Sequence, residues 1–488
     1  SYTVVVGSGS GLRYGSFVNS ISSLTQNTEE KPAVSPKRAH IAIAVLCYVN
    51  LLNYMERYTI AGVLPDIQKV FRLTDSTAGL IQTVFICSFL LLAPLFGYLG
   101  DRYNRKYIMI GGLTVWLLTA AGSSLVSESQ FWLLVVLRAL VGIGEASYST
   151  VAPTIIGDLF SGGKRSIMIC IFYIFIPVGS GLGYITGAGS AALTGDWRWG
   201  LRVTPLLGIV GLILMVFLCP NPARGAAETH GEEVTGQSSY LEDVKYLLKN
   251  KSYVLSSLGV TALAFLTGAL AFWLPTFLSR APQQCTKEPC NSNDSYIFGA
   301  VTVATGILGG GLGTSLSRHF RDKMPNADPI ICAVGMLGSV PLSQCLFYVS
   351  FQVFIFLGEL LLSLNWAVLA DILLYVVTPT KRATAEALQI TVGHLLGDAG
   401  SPYLIGVISV SINASNPHTS DWGFHSLKYS LLLCPFIGVV GGIFFLITAI
   451  YITEDRRAVQ WAKADKDNIV FLVWIQTDHI LSILLIGE

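Results

Sequence analysis

Apolar residues recur along the chain in runs of about 20, the length of helix that crosses a bilayer. These runs predict helical spans near 40–63, 77–100, 107–127, 131–151, 166–190 and 201–219. A second set follows near 253–279, 295–317, 329–349, 352–377, 388–412 and 427–452. Between the sets lies a polar stretch that carries Glu228, Glu232, Glu233, Glu242, Asp243, Lys245 and Lys249. Six spans, a hinge loop and six spans form the layout of a carrier made of two bundles. The predicted organisation is therefore a cytoplasmic tail over 1–39, a six-helix bundle over 40–219, a cytoplasmic central loop over 220–252, a second six-helix bundle over 253–452 and a cytoplasmic tail over 453–488. The stretch 1–30 is rich in Ser, Gly and Thr and reads as a disordered inner tail. After Arg457 the apolar patches near 469–475 and 480–486 are each too short to span. Spans 9 and 10, near 329–349 and 352–377, are expected to be joined by almost no loop.

Composition strengthens the membrane reading. The chain is 52% hydrophobic and 12% charged, against about 25% charge in a soluble domain, and its mean hydropathy is +0.59. The basic residues sit in short clusters between apolar runs, which excludes the continuous basic stripe of a nucleic-acid binder. Those clusters also give a topology, because cytoplasmic loops retain Lys and Arg. With both termini inside, inner segments hold Arg102, Arg105, Lys106, Lys164, Arg165, Arg318, Arg321, Lys323, Lys381, Arg382, Arg456 and Arg457, and the outer loops hold far fewer. The sequons at Asn293 and Asn413 then fall in outer loops, open to glycosylation, whereas Asn250 falls inside. Cys285 and Cys290 share the outer 7/8 loop and stand as either a local disulfide or two free thiols. Most other cysteines lie in apolar runs, where a thiol behaves as a small hydrophobe.

The sharpest motif is G-Y-L-G-D-R-Y-N-R-K, after span 2. Gly97 and Gly100 allow close approach to a neighbouring helix, Asp101 can bond a helix N-terminus or a basic partner, and Arg102, Arg105 and Lys106 sit at the inner surface. Such an array can latch one conformation and release in another; the alternative is a stop-transfer cluster that only sets topology. In the second half G-G-L-G-T-S-L-S-R-H-F-R-D-K occupies the corresponding loop but lacks the motif's acidic residue, so an asymmetric latch is expected. Span 5 places Gly179, Gly183 and Gly187 on one stripe, a surface for close helix packing.

Charges inside spans are costly and mark function by default. Span 1 carries Glu56 and Arg57. Span 4 carries Arg138, Glu145 and Ser149, at spacings that share one helical face with Gly142. Desolvation and a neighbouring Arg pull a carboxylate's proton affinity in opposite directions, so Glu56 and Glu145 are candidates to take up or release a proton as the site opens to each side. Arg57 and Arg138 suit a phosphate or carboxylate headgroup; the alternative is a static ion pair between spans 1 and 4. Span 10 adds Glu359, Asn365, Trp366 and Asp371, with Trp366 read as a cavity wall. Span 11 adds Glu386, His394 and Asp398, and His394 suits proton coupling. The chain shows no phosphate-binding loop, no nucleophile or metal constellation and no cofactor motif, so neither an ATP-driven pump nor an enzyme is expected.

The decad resembles the signature of the major facilitator superfamily, which implies an all-α membrane protein of twelve transmembrane helices in two six-helix bundles. N-Y-M-E-R-Y, V-G-I-G-E-A-S-Y-S-T-V-A-P-T, I-P-V-G-S-G-L-G-Y, N-W-A-V-L-A-D-I-L and H-L-L-G-D-A-G-S-P-Y-L together are similar to the spinster family of facilitators, from about residue 39 to 457. That resemblance implies alternating-access transport of sphingolipids such as sphingosine 1-phosphate or of lysophospholipids, with Arg57, Arg138 and Glu145 matching the family's polar site. Glu56 stands where the family usually has Asp. A monomer in the plasma membrane or an endolysosomal membrane is expected. The competing readings are a facilitator for another organic anion and a membrane scaffold or sensor that moves nothing.

Overall fold

The computed structural model describes residues 34–222, 240–280, 293–345, 351–378, 381–415 and 422–486; within these, the side chains at 101, 162–163, 166, 240, 293–294, 342–345, 351–352, 374, 383 and from 462 onward lie outside the description. Cys285 and Cys290, and so their pairing, also lie outside the described residues. The described chain is helical with no strand.

The first half comprises α1 (Pro36–Phe71), α2 (Asp75–Arg102), α3 (Arg105–Ser123), α4 (Phe131–Leu159), α5 (Gly162–Thr194) and α6 (Arg198–Leu218). A short helix, α7 (Tyr240–Lys249), follows within the stretch read from sequence as loop. The second half comprises α8 (Lys251–Ser279), α9 (Asn293–Arg321), α10 (Ala327–Cys345), α11 (Phe351–Val376), α12 (Arg382–Leu396), α13 (Ser401–Ala414), α14 (Trp422–Leu431) and α15 (Leu433–Ile486). Among the described residues, ten segments are long and apolar enough to cross a membrane, and Ala327–Pro341 is a shorter apolar helix, a count consistent with twelve spans.

Local chemistry sets many of the ends. Pro36 opens α1, where a missing N–H costs nothing. Asn104 caps α3 by accepting the Lys106 N–H at 3.1 Å, and Asn250 caps α8 by accepting the Tyr253 N–H at 2.9 Å. Because the Asn250 amide also donates to the Val376 carbonyl at 2.7 Å, that sequon side chain is engaged at both ends. Gly195, at φ 73, ends α5 in the left-handed conformation that favours glycine.

Three elements differ from the reading of the sequence. Span 11 is two helices, because Gly397 ends α12 and the Ser-Pro pair restarts α13. Span 12 breaks at Leu432 and its second helix continues to Ile486, through the patches dismissed as too short. The polar loop contains α7, whose apolar positions follow a helical period too brief to register as a span.

Helices α1–α6 pack chiefly on one another, as do α8–α15, and the two groups meet through α1 with α8, α2 with α13 and α5 with α9. The outer surface carries bare apolar side chains such as Leu91, Leu118, Phe217 and Ile450. In water these would be unfavourable; lipid removes that cost while the helices satisfy the backbone internally.

Candidate functional site

Four charged side chains from α1 and α4 meet in the interior, where each would be costly alone. Arg138, fully buried, donates from Nη1 to Glu56 Oε1 at 2.5 Å. Arg57 Nη1 lies 3.8 Å from Glu145 Oε1. The two pairs therefore cross between the helices, and Phe85 of α2 underlies both guanidiniums, 5.3 Å from Arg57 and 5.0 Å from Arg138, as a cation–π face.

A fifth member comes from the second half. Arg57 Nη2 reaches Asp398 Oδ2 at 3.3 Å, and the other Asp398 oxygen lies 2.9 Å from His394 Nδ1. Asp398 sits in the unwound turn between α12 and α13. Such a break in a spanning helix is tolerated where it lines a polar cavity, and discontinuous helices commonly build transport sites. Gly268 of α8 lets that turn come close, since a Cβ there would collide with Asp398. Thr83 of α2 donates to the Ala399 carbonyl at 2.6 Å and ties the turn to the first half. The sequence marked Asp398 as one more intramembrane charge; its i,i+4 spacing to His394 was legible, and its partnership with Arg57 was not.

Around this cluster lie buried polar atoms without partners: Glu56 Oε2, Arg57 Nε, Gln82 Oε1, Arg138 Nε and Nη2, and Glu145 Oε2. A small cavity bordered by Arg57, Tyr58, Gln82, Gly268, Phe272 and Asp398 adjoins them. Gln82 escaped the sequence reading because it is uncharged.

The other candidates fall elsewhere. Glu359 of α11 stands beside Thr302 and Thr305 of α9, near Tyr58 and Tyr184, and one of its oxygens is unpartnered. Trp366, seven residues on and so on the same helical face, is 42% exposed. Asn365 does not face the site: it is fully buried against Gly335 of α10, with its amide on the Leu361 carbonyl. Ser149 spends its hydroxyl on the Glu145 carbonyl of its own helix, at 2.9 Å. Gly179, Gly183 and Gly187 lie where α5 meets α1, each against α1 backbone, so a Cβ would collide with the carbonyls of Leu51, Met55 and Thr59 respectively.

At the end carrying the decad, Arg105 is paired with Asp158 of α4 at 2.6 Å and also donates to Thr154 and to the Pro222 carbonyl. Lys106 donates to the Val216 carbonyl at 2.7 Å, and Arg102 lies over the Tyr98 ring at 4.3 Å. Gly100 touches Val151 of α4, but Gly97 has no neighbour within 4 Å of a Cβ, so it provides no close helix approach. The counterpart in the second half is also not short of acid. Arg321 of α9 pairs with Asp328 of α10 at 3.0 Å and with Asp371 of α11, while Ser317 and Tyr375 donate to Asp328. The carboxylates missing from the loop motif come from neighbouring helices.

The opposite end is clamped. Arg280, following α8, donates to both oxygens of Asp75 at 2.6 and 3.0 Å, to Gln68 at 2.9 Å and to the Gly423 carbonyl at 3.2 Å, and Ser409 of α13 donates to Asp75 at 2.7 Å. Beside it, Gly79 abuts the Pro402 backbone and Gly406 the Asp75 backbone. Asn413 lies in the last turn of α13, at this same end.

Away from the clamp, the halves separate. Along α5 the positions 167, 171, 174, 177 and 181 share a face. Gly181 abuts Gly299, and Pro177 abuts Gly306, yet Ile174, Ile171 and Ile167 are exposed. On α9 the same change occurs after Gly306, since Gly310 has no neighbour and Ile307 is exposed. The result is a wedge, closed by the clamp and open toward the decad, with the charged cluster inside it.

The pattern of the Major Facilitator Superfamily matches residues 46–402. The chain is 62% identical over 464 residues to "Protein spinster homolog 3" of Danio rerio, covering 92% of each chain. It is 53% identical over 444 residues to "Protein spinster homolog 1" of Homo sapiens, covering 88% of this chain and 84% of the relative. Among solved structures, a bacterial homolog of the human lysosomal transporter spinster, in an inward-facing and unoccupied conformation, superposes with a TM-score of 0.76 at 19% identity over 87% of this chain and 99% of that one. A D-xylose-proton symporter does so with a TM-score of 0.63 at 17% identity over 83% of this chain and 97% of that one. A break-built polar cluster within a two-part helical wedge, carried by a sequence this similar, places the chain in the spinster family of the Major Facilitator Superfamily, as a multi-pass, non-enzymatic membrane transporter.

Proposed function

We propose that the chain carries lipids with a phosphate-bearing headgroup, sphingolipids such as sphingosine 1-phosphate or lysophospholipids, by alternating access. The observation that supports this reading is the wedge itself, a buried Arg–carboxylate cluster whose open mouth is walled by Ile167, Ile171, Ile174 and Ile307. Arg57 suits the phosphate because its two carboxylate contacts, at 3.3 and 3.8 Å, are looser than the Arg138–Glu56 pair. Glu359, across α9, suits an ammonium group on the same headgroup. The apolar walls take the hydrocarbon chain. A small, fully polar organic anion would leave those walls unused, and a scaffold that moves nothing would have no need of the unpartnered atoms around Arg57.

Charge balance supports proton coupling. Glu56, Glu145 and Asp398 face Arg57 and Arg138, three acids against two bases, and His394 stands 2.9 Å from Asp398. A headgroup that binds Arg57 displaces Glu145 or Asp398, and a carboxylate left buried without its partner is neutralised by a proton. On this reading the decad end faces the cytoplasm, the clamp end faces outward, the first bundle spans 40–219 and the second 253–452.

The test is movement of labelled sphingosine 1-phosphate and lysophosphatidylcholine in proteoliposomes, with and without a pH gradient. The native chain is expected to move at least one of them. Arg57→Ser should slow transport by at least about tenfold, and Glu145→Gln should remove its response to the gradient. No movement of either lipid overturns the substrate class; transport unchanged by both substitutions overturns the site.

A further inference from the structure

The transport reading leaves α7 unused. This helix packs on α8 and α12 at the open end of the wedge. One face is fixed: Leu247 is fully buried, Asp243 pairs with Lys381 at 2.7 Å, and Lys381 also lies 4.7 Å from the Tyr246 ring. The opposite face is bare. Leu241 is 76% exposed and Leu248 63% exposed, seven residues apart and therefore one above the other, with half-buried Val244 alongside. Next around the helix come Lys245 and Lys249, both exposed, before Glu242 closes the circle.

Two exposed leucines on one helical stripe are unfavourable in water. A stripe flanked on one side by lysines and on the other by the protein fits a helix lying in the surface of a bilayer. We infer that α7 is a membrane-surface helix, which sets Leu241 and Leu248 into the acyl boundary of the leaflet at the open end of the wedge and places Lys245 and Lys249 on its anionic headgroups. Position favours a lipid surface over an acidic protein as the occupant, because the chain already stands in the bilayer and the stripe needs no other partner to be covered. Since Asp243 holds Lys381, the residue before α12, the same anchoring ties the entrance of the helix that leads to His394 and Asp398 to the membrane plane.

The test uses the full chain in lipid nanodiscs, with an environment-sensitive fluorophore on a single reactive cysteine at Leu241→Cys or Leu248→Cys and, as control, at Glu242→Cys. These positions are exposed, so folding should be unaffected, which a size-exclusion profile checks. With phosphatidylserine in the disc, probes at 241 and 248 are expected to be quenched by doxyl-labelled lipid and protected from acrylamide, and the probe at 242 to show the reverse. Lys245→Glu with Lys249→Glu should reduce the lipid quenching in phosphatidylserine discs. Equal acrylamide quenching at 242 and 248 overturns the inference and leaves the stripe free for a protein partner. Equal lipid quenching in discs with and without phosphatidylserine overturns the anionic surface.

Discussion

The four charges of α1 and α4 are held by one another, and that dependence sets what single changes do. Removing one partner of a buried pair leaves an uncompensated charge, at a cost of about 3–5 kcal/mol, whereas replacing both with apolar groups is often neutral. Glu56→Ala is therefore expected to lower the melting temperature in detergent sharply, because fully buried Arg138 loses its 2.5 Å partner. Glu56→Leu with Arg138→Met should keep most of the stability and lose transport. A double variant as unstable as the single would sink the pairing argument. The four charges of α1 and α4 were conspicuous in the sequence, since an ion in an apolar run needs a reason. Their crossed pairing was hidden: Glu56 and Arg57 are adjacent in the chain, and nothing local says that each turns to a different residue of α4. Asp398 was hidden more deeply, as its contact with Arg57 joins residues 341 positions apart.

At the scale of the helices, glycine decides how close two backbones come. Gly183→Val would drive a side chain into the Met55 carbonyl, where α1 and α5 are in contact, and overpacking of this kind costs about 1–3 kcal/mol. Gly97→Ala meets nothing within 4 Å and should be neutral or raise stability by about 0.5–1 kcal/mol; thermal unfolding of both variants separates a packing glycine from a permissive one. The stripe 179, 183, 187 was readable because period and residue size are local properties. The vacancy beside Gly97 was not, because motif membership says nothing about where a neighbouring helix ends. The same limit explains Arg321. Its loop carries no acid in the expected place, and its carboxylates arrive from Asp328 and Asp371 on other helices. Arg321→Ala is accordingly expected to destabilise the second half, where Asp328 is almost fully buried.

For the molecule as a whole, the question is which end opens. The Arg280–Asp75–Gln68–Ser409 network joins α1, α2, α8 and α13 at one end only. Hydrogen bonds to charged groups contribute about 1.5–3 kcal/mol each, so Arg280→Ala is expected to shift the population roughly ten- to a hundredfold toward a state open at that end. Spin-label distances across the clamp would lengthen; an unchanged distribution would remove the clamp from the mechanism. If that end faces outward, Asn413→Gln should abolish a glycan-dependent mass shift at that site in cells. The sequence by itself determined that the chain lives in lipid, roughly where it crosses, and which charges had to be explained, since hydropathy, period and charge belong to contiguous residues. Only the tertiary structure decided that the break in span 11 delivers Asp398 to Arg57, that Arg321 takes its carboxylates from other helices, and that the halves splay beyond Pro177 and Gly306. Each of these depends on where segments far apart in the chain stand relative to one another, which is set by how whole helices pack rather than by any one of them.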